Sequence, residues 1–274
     1  MNVRRVVIVT NPKQPQVARV ADGLVGWFES KKNIKASLAP ETASKADLTV
    51  VVGGDGTLLA AARLLGDRQI PILAINHGGL GFLTEVTLEE MYPAIERVLA
   101  GQFITEHRMM MDVEVSRANK PVAGYRALND IVINKGTLSR MIELESRVDG
   151  QYVSRFRADG LILATPTGST AYSLAAGGPI LAPESGVFVI TPICPHVLTN
   201  RSIIVGEDSV IEIGVTEPDF PVYLSVDGRQ SIRLEKGADL TIRKADQVLP
   251  LAVMPDVSFF SVVRQKLKWS GSNL

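Results

Sequence analysis

The sequence predicts an α/β domain followed by an all-β, sandwich-like domain, with one last helix that returns to the first domain. Up to about residue 105, apolar runs alternate with segments whose apolar residues recur every three or four positions, as in a parallel sheet covered by helices. From Met109 onward the apolar residues recur at every second position, and turn signals separate the runs. The 274 residues suffice for two cores, so we expect domains at 1–108 with 250–274 and at 109–249.

The first domain starts with an apolar run, Val6 to Val9, that ends at Thr10-Asn11-Pro12. This run is too short for the core of a signal peptide, so we interpret it as a strand. Thr87 and Glu90 have the spacing of a capping box, which predicts an amphipathic helix that extends to Leu99. The other apolar patterns predict strands over 48–52 and 70–75 and helices that begin near residues 17 and 58.

The second domain contains two Asp-Gly pairs that favour hairpin turns, Asp149-Gly150 and Asp227-Gly228. The strands predicted by alternating apolar residues cover 109–115, 142–148, 210–215 and 222–226. Near the end of the chain, helical spacing of apolar residues and a basic last turn predict a closing helix that packs on the first domain. The apolar positions of this helix are Phe259, Phe260, Val263 and Leu267.

The charge balance and the cysteine content limit the partners and the compartment. Lys and Arg number 29, as do Asp and Glu, so no overall field draws the chain to nucleic acid or to an anionic membrane. The one cysteine, Cys194, excludes an intrachain disulfide and is compatible with a reducing compartment. We therefore predict a cytoplasmic protein without a nucleic-acid or membrane partner.

Two classes of cofactor site are missing from the sequence. His77, His107 and His196 do not have the spacing of metal ligands, and no cluster of carboxylates predicts a metal cage. The first βαβ unit lacks the G-x-G-x-x-G sequence of dehydrogenases, which argues against hydride transfer. The sequence therefore predicts no metal site built by the protein alone.

The pentapeptide Gly53-Gly54-Asp55-Gly56-Thr57 lies where the strand at 48–52 meets the next helix. Glycines let backbone N–H groups approach a ligand, and the start of a helix attracts an anion. Asp55 is unexpected among such groups, because a carboxylate repels phosphate unless a metal or a proton acceptor is required. The pentapeptide therefore predicts chemistry at a phosphoryl group. The structural alternative is an aspartate that orders a tight turn.

A second polar segment interrupts the β-rich domain. Asp159-Gly160 and a short apolar strand precede five hydroxyl side chains between Thr165 and Ser173, and Gly177-Gly178-Pro179 ends the brief helix that follows. Hydroxyl groups suit the sugar, the adenine edge and the phosphates of a nucleotide. A polar loop with a helix N-cap at Ser169 or Thr170 fits this segment equally well when it is taken alone.

Together, these two segments resemble the bacterial NAD kinase family. The resemblance includes Asn76-His77-Gly78-Gly79-Leu80-Gly81-Phe82-Leu83-Thr84 and extends over nearly the whole chain. Shorter similar segments are Leu128-Asn129-Asp130, Pro195-His196 with Asn200-Arg201, and Lys266-Leu267-Lys268-Trp269. Lipid kinases and phosphofructokinase-like enzymes share the glycine-rich pentapeptide, so the other segments make the resemblance specific.

The resemblance implies a fold of the NAD kinase and diacylglycerol kinase type. It also implies phosphoryl transfer to the 2′-hydroxyl of the adenosine ribose of NAD, which gives NADP. The donor would be ATP or inorganic polyphosphate, with Mg²⁺ or another divalent cation. Asp55 would be the catalytic residue, because its carboxylate would align the ribose hydroxyl or accept its proton. The expected assembly is a homodimer or a homotetramer.

The resemblance also assigns further residues to the two ligands. Phosphate would bind at Gly53, Gly54, Gly56, Thr57 and Arg140. NAD would contact Gly56, Leu80, Phe82, Asn129, Asp130, Arg157, Asp159, Thr170, Ala171, Tyr172, Ser173, Leu174, Ala175 and Gln230. Several positions have a structural alternative, such as Phe82 in the core or Arg157 on a solvated face.

Two other functions are compatible with single motifs. A lipid kinase would share the pentapeptide but is expected to carry basic or amphipathic segments that face a membrane, and we find none in the sequence. A non-catalytic NAD-sensing module would keep the hydroxyl-rich loop but would not need Asp55. The presence of Asp55 therefore favours an NAD kinase. The sequence leaves open the choice between ATP and polyphosphate, the acceptance of NADH, and feedback by NADP.

Overall fold

The structure is a computed structural model that describes residues 3–11, 13–31, 33–40, 45–79, 81–136, 140–216 and 220–269, without the side chains of residues 230 and 231. Two of the predicted NAD contacts, Leu80 and the side chain of Gln230, lie outside this described part. The contacts of the chain divide it into two units. The first unit is Met1–His107 with Leu249–Leu274, and the second unit is Arg108–Val248.

The elements alternate between strand and helix in the first part of the chain and are mainly strands in the second part. The first part contains β1 (Arg5–Thr10), α1 (Pro15–Ser30), β2 (Lys35–Leu38), β3 (Leu48–Val52), α2 (Asp55–Leu65), β4 (Ile72–Asn76), β5 (Val86–Thr87) and α3 (Met91–Leu99). The strands that follow are β6 (Ile104–Arg117), β7 (Lys120–Ala127), β8 (Asp130–Lys135), β9 (Ile142–Val148), β10 (Gln151–Ala158) and β11 (Gly160–Ala164). The chain continues through α4 (Tyr172–Ala175), β12 (Val187–Ile193), β13 (Ile203–Gly206), β14 (Ile211–Val215), β15 (Val222–Val226), β16 (Gln230–Leu234), β17 (Ala238–Val253) and α5 (Phe259–Leu267).

The first unit is built on a parallel sheet in the order β2-β1-β3-β4, with the last residues of β17 and the short β5 both paired to β4. Every residue of β3 and β4 is buried, as expected for parallel strands that are covered on both faces. Helix α1 buries Val17, Ala21, Leu24 and Phe28, which recur at the helical spacing of three or four residues. The predicted parallel α/β architecture is thus confirmed.

The sequence patterns do not predict β2. This strand has only four residues, lies at the edge of the sheet and buries none of them fully. An edge strand of this kind carries little apolar signal, because neither of its faces is closed off from water.

The second unit contains two antiparallel sheets. One sheet contains β10-β9-β14-β17, with β6 beside β17 and β7 beside β6, and the other has the order β13-β12-β11-β8-β15-β16. Residues of both sheets share one apolar core, such as Leu144 and Ile213 from the first sheet and Leu163 and Leu224 from the second. The sandwich prediction is therefore confirmed.

Both predicted Asp-Gly pairs lie in hairpin turns. Asp149 and Gly150 connect β9 to β10, and Asp227 and Gly228 lie between β15 and β16. All four residues have positive φ angles, between 47° and 75°. Asp and Gly are the residues that best tolerate this conformation in a hairpin.

The closing helix α5 belongs to the first unit. It begins with a capping box between Ser258 and Ser261, and Asp256 just before it forms a 2.9 Å ion pair with Arg97 of α3. Of the four predicted apolar positions, Val263 is buried together with its neighbour Val262, whereas Phe260 is 63% exposed. Within the described residues, no helix has the length and apolar character to cross a membrane.

Candidate active site

The glycine-rich pentapeptide connects the buried strand β3 to α2. Gly54 is the N-cap residue of α2 and, as a glycine, has no side chain that could cap this end of the helix. The positive end of the helix dipole therefore favours an anion at this point. A Cβ on Gly53 would overlap the side chain of Thr57, which is buried, so the turn from strand to helix requires glycine at position 53.

The Asp55 carboxylate is held by three donors from one neighbouring segment. Its Oδ2 atom accepts a hydrogen bond from the backbone N–H of Phe82 at 3.0 Å. Its Oδ1 atom accepts from the N–H of Leu83 and from the hydroxyl of Thr84, both at 3.1 Å. Gly81 lies so close that a Cβ there would overlap Oδ1. The carboxylate is therefore fixed in orientation at the first residue of α2.

The Phe82 side chain is half-buried rather than a closed part of the core. The ammonium group of Lys266 in α5 lies 5.7 Å from the centre of its ring, within the range of a cation–π contact. One face of the aromatic ring is thus covered by a basic side chain of the closing helix.

A pocket of about 290 Å³ lies in the second unit and brings together four of the predicted NAD contacts. Asn129 and Asp130 line it at the start of β8, and Ala171 and Tyr172 line it at the start of α4. The Tyr172 side chain is 46% exposed. The Oδ1 atom of Asn129 is buried and has no hydrogen-bond partner among the described residues. Since such an oxygen is costly to leave unpaired, it favours a ligand that donates a hydrogen bond.

Asp227 also lines this pocket and binds the residues at the start of β8. Its carboxylate accepts hydrogen bonds from the backbone N–H groups of Leu128 at 3.2 Å, Asn129 at 2.8 Å and Asp130 at 3.4 Å. Sequence reasoning treats Asp227 only as a turn residue. An Asp-Gly turn gives no local signal that its carboxylate binds a loop about 100 residues away in the chain, so only the pairing of β8 with β15 reveals the role.

The Asp130 carboxyl group has an unusual protonation. Burial raises its pKa from the ordinary 3.8 to about 7, and the nearby Asp227 carboxylate adds to this increase. The backbone N–H of Tyr172 donates to Asp130 and partly opposes the increase. Asp130 therefore changes its charge near neutral pH.

We expect the Tm of Asp130→Asn, relative to that of the wild type, to be higher at pH 8 than at pH 5. The folded protein keeps a proton on Asp130 up to about pH 7, whereas the unfolded chain loses it near 3.8, so this group makes the folded state less stable as pH rises between these values. The ionised carboxyl costs at most about 4 kcal/mol above this window, and the asparagine variant avoids that cost. The measurement is the difference in Tm between variant and wild type at pH 5 and at pH 8. Asp208→Asn, at an exposed position, is the control. An equal Tm difference at both pH values for Asp130→Asn would contradict the prediction.

The hydroxyl groups between Thr165 and Ser173 are largely used inside the protein. The hydroxyls of Thr165, Ser169 and Thr170 donate to backbone carbonyls of the protein, and the Ser173 hydroxyl bonds to that of Thr191 at 3.0 Å. Contact of these hydroxyls with a nucleotide stays a prediction, since each keeps acceptor capacity. Two of the hydrogen bonds lie within the loop, and the bond of Ser173 to Thr191 connects it to β12.

The prediction that Ser169 or Thr170 is the N-cap of the brief helix is wrong. The N-cap residue of α4 is Ala171, without a side-chain hydrogen bond. Ser169 and Thr170 instead belong to a separate 3₁₀ turn, Thr167–Thr170, that precedes the helix.

Several other predicted contacts do not line the pocket. Asp159 forms an ion pair with Lys135 at 2.5 Å. Arg140 and Arg157 are exposed. Ser173 is buried, while Leu174 is half-buried and Ala175 exposed at the end of α4. These residues stay predictions for ligand contact.

The described residues contain no group of three or more His, Cys, Asp or Glu side chains that could hold a metal ion. At the glycine-rich turn, Asp55 offers at most one protein ligand, and its Oδ2 atom, which accepts one hydrogen bond from the described residues, can bind either a cation or a hydroxyl proton but not both. This donor set fits a divalent cation whose other ligands are phosphate oxygens and water, as is common for nucleotide-bound Mg²⁺. It does not fit a cation held by the protein alone.

The chain matches two family models in succession. Residues 9–103 match the ATP-NAD kinase N-terminal domain, and residues 128–253 match the ATP-NAD kinase C-terminal domain. A relative named NAD kinase from Geobacter sp. (strain M21) is 47% identical, over 97% of this chain and 99% of its own length. Another NAD kinase, from Geotalea daltonii, is 44% identical with the same coverage.

Two solved structures of similar fold are also NAD or NADH kinases. Yeast NADH kinase, solved in complex with NADH, matches 99% of this chain and 89% of its own with a TM-score of 0.91 and 25% identity. The NAD kinase of Archaeoglobus fulgidus, solved in complex with ATP, matches 97% of this chain and 100% of its own with a TM-score of 0.76 and 28% identity. With family models over both units and close relatives over nearly its full length, the chain belongs to the NAD kinase family.

Proposed function

We propose that this protein is an NAD kinase that transfers the terminal phosphoryl group of ATP to the 2′-hydroxyl of the adenosine ribose of NAD, forming NADP and ADP. The observation that carries the proposal is the Asp55 carboxylate, which three hydrogen bonds fix at the start of α2. The NAD kinases of similar sequence and the solved relatives bound to NADH and to ATP support the same activity.

The donor phosphates, in this proposal, bind at the glycine-rich turn. Gly54 and Gly56 are exposed, and the helix dipole at the start of α2 attracts negative charge. A divalent cation, which we propose is Mg²⁺, would neutralise the donor oxygens when it is bound with ATP. Thr57 is buried and supports the turn rather than the ligand.

Asp55 then acts on the acceptor. As the 2′-oxygen of the ribose forms a bond to the terminal phosphorus, the bond from that phosphorus to the bridging oxygen of ADP breaks. The proton of the 2′-hydroxyl passes to the Asp55 carboxylate. Asp55 would also align the hydroxyl in line with the terminal phosphorus.

The pocket of the second unit supplies groups for the dinucleotide. Asn129 offers a buried amide oxygen that lacks a donor within the described residues, and Asp130 can donate or accept near neutral pH. Tyr172 presents a partly exposed aromatic ring. We propose that these three side chains contact NAD.

The test is formation of NADP from NAD, ATP and MgCl₂ by the purified protein, detected with an NADP-specific dehydrogenase. We expect turnover with Mg²⁺, loss of turnover with EDTA, and recovery when Mg²⁺ is added in excess. Absence of NADP formation by a protein with a cooperative thermal transition would contradict the proposal. The rate with polyphosphate in place of ATP measures the donor preference, and the rate with NADH in place of NAD measures the acceptor preference.

We also propose that the protein forms a homodimer or homotetramer and acts in the cytoplasm. Sedimentation velocity at micromolar concentration tests the proposed assembly. A monomer under these conditions would contradict it. Immunodetection in cell fractions tests the second part.

A further inference from the structure

The two oxygen atoms of the Asp55 carboxylate have different surroundings. Among the residues that the structure describes, two donate to Oδ1, through the N–H of Leu83 and the hydroxyl of Thr84, and one donates to Oδ2, through the N–H of Phe82. A carboxylate oxygen has about two lone-pair sites. Oδ1 is therefore saturated by the protein, and Oδ2 keeps one site for a further proton donor.

The direction of the hydrogen bond from Thr84 is determined by Asn76. The Nδ2 atom of Asn76 donates to the backbone carbonyls of Gly79 at 2.9 Å and of Thr84 at 3.2 Å, so the amide nitrogen must lie on this side. The same nitrogen lies 2.9 Å from the Thr84 hydroxyl oxygen, and since the amide has two N–H bonds, one of them is shared between the carbonyl and the hydroxyl of Thr84. The hydroxyl oxygen is thus an acceptor from Asn76, and its own proton points to Asp55.

Both members of this chain of hydrogen bonds are shielded from water. Thr84 has no exposed surface, and Asn76 is 5% exposed. A hydrogen bond to a charged group is stronger in such surroundings than at the surface, because water does not compete for either partner.

We propose that Thr84 is a positioning residue for phosphoryl transfer. Its hydroxyl, oriented by Asn76, occupies the second lone pair of Oδ1 and leaves Oδ2 as the oxygen that meets the ribose 2′-hydroxyl. Thr84 acts through Asp55 and has no contact with substrate in this scheme. The inference rests on the proposed kinase activity.

The test compares three variants with the wild type. Thr84→Val removes the hydroxyl and retains the branched shape, while the carbonyl of residue 84 still accepts from Asn76. Thr84→Ser retains the hydroxyl. Thr49→Val is the matched control, since Thr49 is a buried threonine of β3 whose hydroxyl has no partner among the described residues.

We expect Thr84→Val to lower kcat by about 10-fold or more, as for loss of a hydrogen bond to a charged group. The KM values for NAD and ATP should stay within about twofold of the wild type, because the lost interaction serves the transition state rather than ground-state binding. Thr84→Ser should recover most of kcat, and Thr49→Val should leave kcat unchanged.

Each other result overturns the inference. A Thr84→Val variant with wild-type kcat removes the positioning role, and so does a variant that changes KM alone or a Thr84→Ser variant as slow as Thr84→Val. Equal losses in Thr84→Val and Thr49→Val would assign the effect to packing. If Thr84→Val lacks a cooperative thermal transition, the smaller Thr84→Ala replaces it with the same expectations. An inactive wild type would instead overturn the proposed function and, with it, this inference.

Discussion

Asp55→Asn is expected to lower kcat by about 10³-fold, within the usual range for loss of a catalytic acid–base group. An amide cannot accept the ribose proton. It also disturbs the site, because all three protein groups around the carboxylate are donors, namely the N–H groups of Phe82 and Leu83 and the hydroxyl of Thr84. The amide nitrogen of asparagine would have to face at least one of these donors. The measurement is kcat for NADP formation, with Tm as the test of folding.

The control for Asp55→Asn is Asp22→Asn, which makes the same chemical change at an exposed position of α1. It should leave kcat unchanged. If Asp55→Asn keeps kcat within about twofold of the wild type, Asp55 has no catalytic role, and the residue serves only the start of α2.

Gly81→Ala is expected to lower kcat by about 100-fold, the effect of displacing a catalytic group by roughly 1 Å. A methyl group at position 81 would overlap Oδ1 of Asp55 and Oγ1 of Thr84, and it would lie 2.9 Å from the carboxylate carbon of Asp55. To make room, the carboxylate and the backbone of residue 81 have to move apart, which disturbs the hydrogen bonds that orient Asp55. Steady-state kinetics with NAD and ATP measure the loss.

Gly79→Ala is the matched control in the same segment. A Cβ at position 79 would have no atom of the described residues within 4 Å, so we expect wild-type kinetics. Equal losses in both variants would show that any added methyl group disturbs the segment, and the specific conflict at Gly81 would be refuted.

The sequence predicts the architecture well because the relevant signals are local. The run of five apolar residues at 48–52 and the glycines after it are contiguous in the chain, and they define both β3 and the start of α2. The alternation that starts at Met109 likewise belongs to one strand, β6. The weak edge strand β2 and the exposed Phe260 are missed, since a pattern of apolar residues does not report what covers them.

The site is less predictable because its contacts are distant in the chain. Asp55 is recognisable from its own motif, but its partner Thr84 is 29 residues away. Asp227 binds the Asn129 loop across 98 residues. The hydroxyls of the polar loop show the converse, because their composition suggests ligand binding whereas their geometry directs them to the protein. Residue type indicates what a side chain can bind, and only the fold decides which partner it finds.

The two Asp-Gly hairpins have the same sequence signature but different value to a protein engineer. Asp149 anchors a single exposed backbone N–H, that of Val210, so its turn is a reasonable place to insert an affinity tag or a fluorophore. Asp227 holds three backbone N–H groups of the loop that lines the pocket. An insertion at that hairpin would therefore disturb the pocket, although the sequence gives this hairpin no feature that sets it apart from an ordinary surface turn.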